Sequence, residues 1–548
     1  DGSLAEAVEY YDNISGEVLP VELVQKARAE EIGWVRGIGL YDKVPRSVAV
    51  ARGIKPLPVR WVDVNKGDRT NYNVRSRLVG KELKAKTKEA LLAHELFSAT
   101  PPWEVIKTLL SLLVTDGVPG VSDGELELGV FDISRAHFMP KVNRELYVEI
   151  PEEDRSPEDG DVVGKLNRNM YGFRDASSGW MRDWQELLQT GGYEVGVANP
   201  ALFYNRSNGG RGAVHGDDFY VLGSRKAIDE MSELLSSKYS MRESHRLGFG
   251  EHCDKSATIL NRVVSVGVED GRRFVQVEPD QRHVEIILEA LGLKKEKTKG
   301  VVTPSAKLSE AEWDRRRLSP PLSPSRTTSY RSCVMRASFL GQDRPDIAET
   351  VKTLAQGMAS PRESHWEDLK RLGRYLLQEP TMALRYDQQT MSKTVRISVD
   401  SDHASDRSTR KSTTGMVIRV GQHVVKATSN LQTAVSLNVS EAEFYALVHG
   451  GAHGLGFQAF MKDLDLEFDI VIESDSSSAR AFASRKGLGR QRHVQTRFLW
   501  LQEAVAGKML VVTRVPTDRN VSDILTKRCG ASTLAKHLAN MKCIRAVA

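Results

Sequence analysis

The sequence predicts an α+β protein built of more than one domain, on three observations. At 548 residues the chain is longer than one hydrophobic core serves, so two to four domains are expected. Short runs with strand-like alternation are interspersed with longer runs of helical period. The pattern also restarts: beyond about residue 392 a fresh strand, strand, helix, strand, helix series follows a stretch rich in Pro, Ser and charge.

Residues 1–50 show little periodicity and read as an N-terminal linker or entry segment. The alternation in "VRWVDVNKGDRTNYNVRSRLVG" (59–80) predicts a hairpin turning at "NKGD". "PPWEVIKTLLSLLV" (101–114) predicts a helix with proline in its first turn. "LELGVFDIS" (126–134) predicts a buried strand, and "ASSGWMRDWQELLQTGGY" (176–193) a helix closed by glycines. The Pro- and Ser-rich stretch around "SPPLSPSRTTS" predicts a mobile linker or exposed loop, with the linker at 301–328. "SHWEDLKRLGRYLLQ" (364–378) predicts an amphipathic helix. Trp366, Leu369, Leu372 and Leu376 share one face, while Lys370, Arg371 and Arg374 lie towards another.

Composition narrows the class. Apolar content is 40% and charged content 27%, which suits globular domains in water. Apolar runs such as Leu109–Val114 are too short to span a bilayer, and no signal-peptide pattern is seen, so no membrane partner is expected. The chain opens with Asp1, which leads to the expectation that it is cut from a longer product. Cys253, Cys333, Cys529 and Cys543 form no CxxC pair, so neither a zinc knuckle nor a disulfide framework is indicated, and a reducing compartment fits. Net charge is only +5, but residues 476–502 carry Arg480, Arg485, Lys486, Arg490, Arg492 and Arg497 and no acid. Such a stretch either tracks phosphates or forms a solvated face.

The chemistry is concentrated in carboxylates. In "AVHGDDFYVLG" (213–223) Asp217 and Asp218 sit side by side between apolar residues, where repulsion and burial are costly without a cation. Asp132 ends an apolar strand 85 residues earlier. Strand carboxylates of this kind can hold two magnesium ions that activate a 3′-hydroxyl and stabilise a leaving pyrophosphate. In the second domain "ISVDSDHASD", "SEAEFYAL", "IESDSSSA" and "NVSDILTK" supply carboxylates in the order Asp, Glu, Asp, Asp.

The segments "RWVDVNKGD", "YNVRSRLVGKE", "FDISRAHF", "ELYVEIPEED", "KLNRNMYGFRDASSGW" and "VHGDDF" follow one another at spacings that resemble the reverse transcriptase of copia-type LTR retrotransposons. The similarity runs on through residues 329–376 into a ribonuclease H domain and covers roughly 56–537. The resemblance implies a right-hand polymerase followed by a ribonuclease H-like α/β domain. Fingers and palm fall at 51–235, the palm end and thumb at 236–300, connection helices at 329–385, and the ribonuclease H-like domain at 392–540. It implies metal-binding carboxylates at Asp132, Asp217 and Asp218 in one site and at Asp400, Glu443, Asp475 and Asp523 in the other. Each site would hold two Mg2+, with Mn2+ as a substitute. Glu441 is the runner-up for Glu443; "EFYAL" favours the latter.

Arg75, Arg77 and Lys81 fall in the basic fingers segment expected to hold the incoming triphosphate, with an exposed charged hairpin as the bland alternative. His137 stands where the family carries Phe or Tyr against the ribose 2′-position, with Phe138 as the next candidate. Asp175 replaces the glutamine of the family's "YGxxQA", and an acid there is unfavourable unless it points away or pairs with Arg174. Lys370, Arg371, Arg374, Arg490, Arg492 and His493 are expected to meet nucleic acid. The implied partners are an RNA template, a DNA primer, an RNA/DNA hybrid and deoxynucleoside triphosphates, with other Pol or Gag products. The implied setting is intracellular, in a cytoplasmic virus-like particle or the nucleus. The alternatives are a catalytically decayed or repurposed nucleic-acid-binding remnant, an integrase-type transferase and a scaffold. The carboxylate order and the sparse cysteines speak against the integrase type.

Overall fold

The structure, a computed structural model, describes residues 9–68, 70–82, 96–121, 125–489 and 491–546. The paired segments Val59–Asn65 (β1) and Val74–Gly80 (β2) form an antiparallel hairpin. Its connection covers 66–73 rather than the four-residue turn expected from "NKGD".

The N-terminal region is not a linker. Val21–Gly37 forms a helix (α1) that buries Val24, Ala27, Ile32 and Val35. Its apolar stripe is interrupted by Glu31, which is buried because it pairs with Arg135 at 2.8 Å. Arg28 fastens α1 to the hairpin through Asp63, at 2.6 Å.

The palm is a six-stranded antiparallel sheet. In chain order its strands are Leu126–Ile133 (β3), Glu194–Val195 (β4), Leu202–Tyr204 (β5), Arg211–His215 (β6), Asp218–Ser224 (β7) and Met241–Leu247 (β8). In space the order is β4-β5-β6-β7-β3-β8. Alternation assigns the faces. Phe131, Ile133, Phe219 and Val221 turn towards the helices Ala176–Thr190 (α3) and Arg225–Ser236 (α4), joining Trp180, Trp184, Ile228 and Met231 in one core. Leu128, Val130, Tyr220 and Leu222 join a second core with helix Trp103–Leu112 (α2).

A five-stranded sheet follows, with Ser256–Ile259 (β9), Arg262–Glu269 (β10), Arg272–Pro279 (β11), Met382–Asp387 (β12) and, last, the C-terminal Cys543–Arg545. Between β11 and β12 lies a helical bundle of Arg282–Ala290 (α5), Pro324–Leu340 (α7), Ala348–Gln356 (α8) and Glu363–Gln378 (α9), with a core of its own. The expected mobile linker is part of this region. Glu310–Arg317 (α6) is a helix with a complete Ser309/Glu312 capping box, α7 starts from an Ser323 cap with Pro324 in its first turn, and Leu322 is buried in the bundle.

The C-terminal sheet has the order His423–Leu431 (β15), Thr413–Val420 (β14), Thr394–Ser401 (β13), Asp469–Ser474 (β16), Val511–Arg514 (β17). The first three strands are antiparallel and the last two parallel to β13. The long helix Val439–Asp463 (α10) packs on it and buries Phe444, Leu447, Phe457 and Met461. This domain is docked on the palm. Lys426 pairs with Glu104 of α2 at 2.6 Å, and the Asp463 carboxylate accepts from the backbone N–H of Val197, Ala198 and Asn199. The fold is α+β: a right-hand polymerase followed by a ribonuclease H-like domain. Among the described residues no helix is long and apolar enough to cross a membrane.

Candidate active sites

The first site is built on the β6–β7 hairpin and β3. His215 and Asp218 close the hairpin, leaving Gly216 and Asp217 as a two-residue turn. Gly216 has φ +69°, which fits the first position of a II′ turn and the right-handed twist of the flanking strands. The turn is held from two sides. Trp180 Nε1 donates to the Gly216 carbonyl at 2.8 Å, and the Ile133 N–H donates to the Asp217 carbonyl at 3.0 Å.

Asp132 and Asp218 are direct cross-strand partners, so their side chains leave the sheet on the same face. Burial, then the neighbouring Asp217, raises the carboxyl groups of both; Asp218 reaches about 6. The Tyr220 hydroxyl donates to Asp218 at 3.2 Å. Repulsion among three carboxylates is thus present in the structure. Three opposing cations come from two strands: Arg75 and Arg77 on β2, and Arg242 on β8 directly across from Asp132, each of which lowers the Asp132 carboxyl. The oxygens of this trio are not drawn into one tight cluster, whereas those of the second site are.

Arg75 and Arg77 project from the exposed face of β2, and Arg77 lies over the Tyr171 ring at 4.9 Å. Lys81 follows the strand end and is exposed; its N–H donates to the Pro58 carbonyl. His137 sits in the short helix Ala136–Phe138 with its ring 4.9 Å from that of Tyr171. Burial pushes its imidazole down, favouring the neutral ring. Phe138 is fully buried against Trp34 and Tyr171, so it cannot face a sugar. Asp175 does not approach the site bare: Arg144 grips it at 2.9 Å and holds Glu82 with two parallel bonds.

The second site brings Asp400, Glu443 and Asp475 together from β13, α10 and the end of β16, with one oxygen of each within 4.8 Å of the others. Burial, then Asp400 and Asp475, raises Glu443 to about 9, and Glu443 Oε2 is buried without a hydrogen-bond partner. Asp400 is raised to about 6, chiefly by burial. An orphaned acid oxygen among converging carboxylates fits a divalent cation held by oxygen ligands. Asp523 stands beside this trio. Lys527, four residues on, pairs with it at 2.5 Å and approaches Asp400 at 3.8 Å. Thr526 donates its hydroxyl to Asp400.

The two candidate glutamates occupy different faces of α10, Glu443 beside Asp400 and Asp475. Glu441 points away from the trio, accepting from Tyr445 at 2.6 Å and meeting His493 Nε2 at 2.7 Å. Arg492 is exposed, and Arg490 lies outside the described residues. On α9, Lys370 is exposed. Arg371 and Arg374 each spend a donor on the preceding segment, on Thr303 Oγ1 and the Lys299 carbonyl. Two residues of these sites escape a reading of motifs. Arg242 is one basic residue among several on an edge strand, visible only through its register with Asp132. Lys527 carries a usable signal, a cation four residues after Asp523.

Residues 42–249 match the family model described as reverse transcriptase (RNA-dependent DNA polymerase). The chain is 25% identical over 521 residues to the retrovirus-related Pol polyprotein from transposon TNT 1-94 of Nicotiana tabacum, covering 92% of this chain and 36% of that protein. It is 24% identical over 527 residues to the corresponding polyprotein from transposon RE1 of Arabidopsis thaliana, covering 93% and 33%. The chain thus spans about a third of the length of these relatives. Among solved structures, it is similar to a foamy viral protease-reverse transcriptase in complex with double-stranded DNA. The TM-score is 0.51 at 12% identity, covering 93% of this chain and 74% of that one. A foamy viral protease-reverse transcriptase bound to an RNA/DNA hybrid gives 0.50 at 11% identity, covering 91% and 54%. Over residues 42–249 the chain thus matches the reverse transcriptase family, and over nearly its whole length it is similar to the Pol polyproteins of copia-type retrotransposons.

Proposed function

We propose that this chain is an RNA-directed DNA polymerase that also hydrolyses the RNA strand of RNA/DNA hybrids. The observation that carries the reading is the cross-strand pairing of Asp132 with Asp218 beside the Asp217 turn. Divalent cations at the two carboxylate sites would activate the attacking oxygen and stabilise the leaving one. The chain's own residues do the rest. Asp132, Asp217 and Asp218 would hold the cations of the first site. Arg75 and Arg77, already opposite Asp132, bind and orient the triphosphate, where positive charge meets the charge spread over the phosphoryl oxygens. His137, backed by Tyr171, forms one wall for the sugar. In the second site Asp400, Glu443 and Asp475 would hold the cations, with Lys527 orienting Asp523. The partners in this reading are template RNA, primer DNA and deoxynucleoside triphosphates.

The test is primer extension on an RNA template with Mg2+, alongside hydrolysis of a labelled hybrid. Asp217→Asn should abolish extension and leave hydrolysis largely intact; Asp475→Asn should do the reverse, since distant sites act independently. No extension by the folded wild-type chain would instead favour a nucleic-acid-binding remnant. Loss of both activities in either single variant, with folding preserved, would contradict two autonomous sites.

A further inference from the structure

The strand that carries Asp132 at one end carries a second cluster at the other. Glu127 lies near the start of β3, and the loop after β8 brings His252 and Cys253 against it. His252 Nε2 is 2.7 Å from Glu127 Oε1, and Cys253 Sγ is 3.4 Å from His252 Nε2. One donor atom from each of the three lies within 4.8 Å of the others. Glu127 and Cys253 are buried, while the His252 side chain remains 37% exposed, leaving the cluster open to water on one side. The loop is shaped around these donors. A Cβ on Gly248 would stand 2.8 Å from Cys253 Sγ and 3.4 Å from Glu127 Cγ, so only glycine lets the backbone pass there. The second oxygen of Glu127 faces Arg246 at 3.5 Å, and Arg246 is itself anchored by Asp229 and Glu243. Arg246 thereby orients the carboxylate from outside the donor set, as the hydrogen-bonding neighbours of metal ligands do.

We propose that Glu127, His252 and Cys253 form a zinc site, distinct from both carboxylate sites, with water completing the coordination. The donor chemistry selects the ion. Sulfur, imidazole and carboxylate suit Zn2+, whereas Mg2+ demands oxygen ligands. A tetrahedral zinc with bonds of about 2.0–2.3 Å keeps its donors about 3.3–3.8 Å apart, a range this cluster reaches with small side-chain rotations. On binding, Cys253 gives its thiol proton to solvent and ligates as thiolate. The charges of Glu127 and the thiolate then balance that of the ion. The role is structural. β8 is an edge strand with a register irregularity between Glu243 and His245, and the ion would staple the loop that follows it to β3. Glu127 and Asp132 are five residues apart on one strand, roughly 17 Å, so the ion takes no part in nucleotidyl transfer.

The intact chain, stripped of metal, is titrated with Co2+ as the spectroscopic substitute and separately with Zn2+. The expected result is a thiolate-to-cobalt charge-transfer band saturating at about one equivalent. Cys253→Ser should abolish it, His252→Gln should weaken Co2+ binding at least about tenfold, and Asp217→Asn and Cys529→Ser should leave it unchanged. Zn2+ should raise the melting temperature of the wild-type chain by a few degrees and not that of Cys253→Ser. No band in the wild-type chain, a band that survives Cys253→Ser, or one lost with Cys529→Ser overturns the site. His252→Gln, at a half-exposed position, provides the decision should Cys253→Ser fail to fold.

Discussion

Asp343 is the point at which palm and helical bundle are joined, and its removal should separate them. It follows α7 and is fully buried. Its Oδ1 accepts from Trp103 Nε1 at 2.7 Å and meets Lys107 Nζ at 2.7 Å, both on α2; its Oδ2 meets Arg262 Nε of β10 at 2.9 Å. Lys107 and Arg262 are themselves 1% and 5% exposed. The cluster therefore holds two cations and one anion. Asp343→Ala would leave two like charges buried with no counter-ion, and breaking a buried pair in this way costs about 3–5 kcal/mol. Asp343→Asn keeps the acceptor for Trp103 but not the charge, so it should cost nearly as much. The assay is limited proteolysis under native conditions, where cleavage tracks the population of the opened form. A cost of about 3–5 kcal/mol corresponds to cleavage faster by on the order of a hundred- to a few thousand-fold. The pH dependence has a definite sign. The two cations hold the Asp343 carboxyl below its ordinary value despite burial, so its contribution is present above pH 3.8 and is lost as the pH falls through its lowered value in the folded state. An acceleration of less than about tenfold in both variants, about 1.4 kcal/mol, would refute the reasoning.

Two further outcomes follow from other sites. His137→Phe should raise the kcat/KM preference for a deoxynucleotide over the matching ribonucleotide by roughly one to two decades, mainly through rejection of the ribonucleotide, because an apolar ring fills the sugar wall that imidazole leaves smaller and polar; an unchanged ratio removes His137 from that wall. His423, 2% exposed, donates Nε2–H to the Asp387 carbonyl and accepts at Nδ1 from Ser111; burial lowers it from 6.5 to about 4, against the opposing pull of the Asp387 carbonyl. The unfolded chain therefore takes up this proton first, and stability should fall as the pH drops from 6.5 towards 4, by at most about 3 kcal/mol, with His423→Gln flattening the melting-temperature profile over that window.

How far each element can be read in the sequence depends on how local its cause is. The helices of 176–190 and 363–378 bury a face that repeats at the helical period, while the strand Leu126–Ile133 and the helix of 103–112 are buried almost throughout and stand out as apolar runs, so local pattern finds all four. Helix α1 hides because one position of its stripe is Glu31, whose partner Arg135 lies 104 residues away. Helix α6 hides for another reason. None of its residues is buried, so it has no stripe to read, although the Ser309/Glu312 capping box is plain in the sequence. The same holds at single residues. Asp175 looks like an acid beside a phosphate until Arg144 is brought to it by the fold, and Glu441 and Glu443 differ only in which face of one helix they occupy.

The two carboxylate sites meet the same electrostatic problem with different means, and this divides what is legible in them. Acids at the ends of apolar strands stand out because nothing but a cation justifies them there, so Asp132, Asp217, Asp400 and Asp475 can be found from sequence. The charges that oppose them cannot be found in that way. In the first site they come from two strands of two different sheets, Arg75 and Arg77 on the hairpin and Arg242 across the palm edge. In the second, one lysine serves both Asp523 and Asp400, while Glu443 is held in its protonated form by burial and its neighbours. A cation entering the second site must therefore displace a proton from Glu443, whereas one entering the first finds Asp218, at about 6, already ionised at neutral pH. Metal affinity at the second site should accordingly climb more steeply with pH above neutrality than at the first. Calorimetric titration of Mg2+ into the Asp217→Asn and Asp475→Asn variants, compared at two pH values, resolves the two slopes, and equal slopes would mean that Glu443 does not carry the proton.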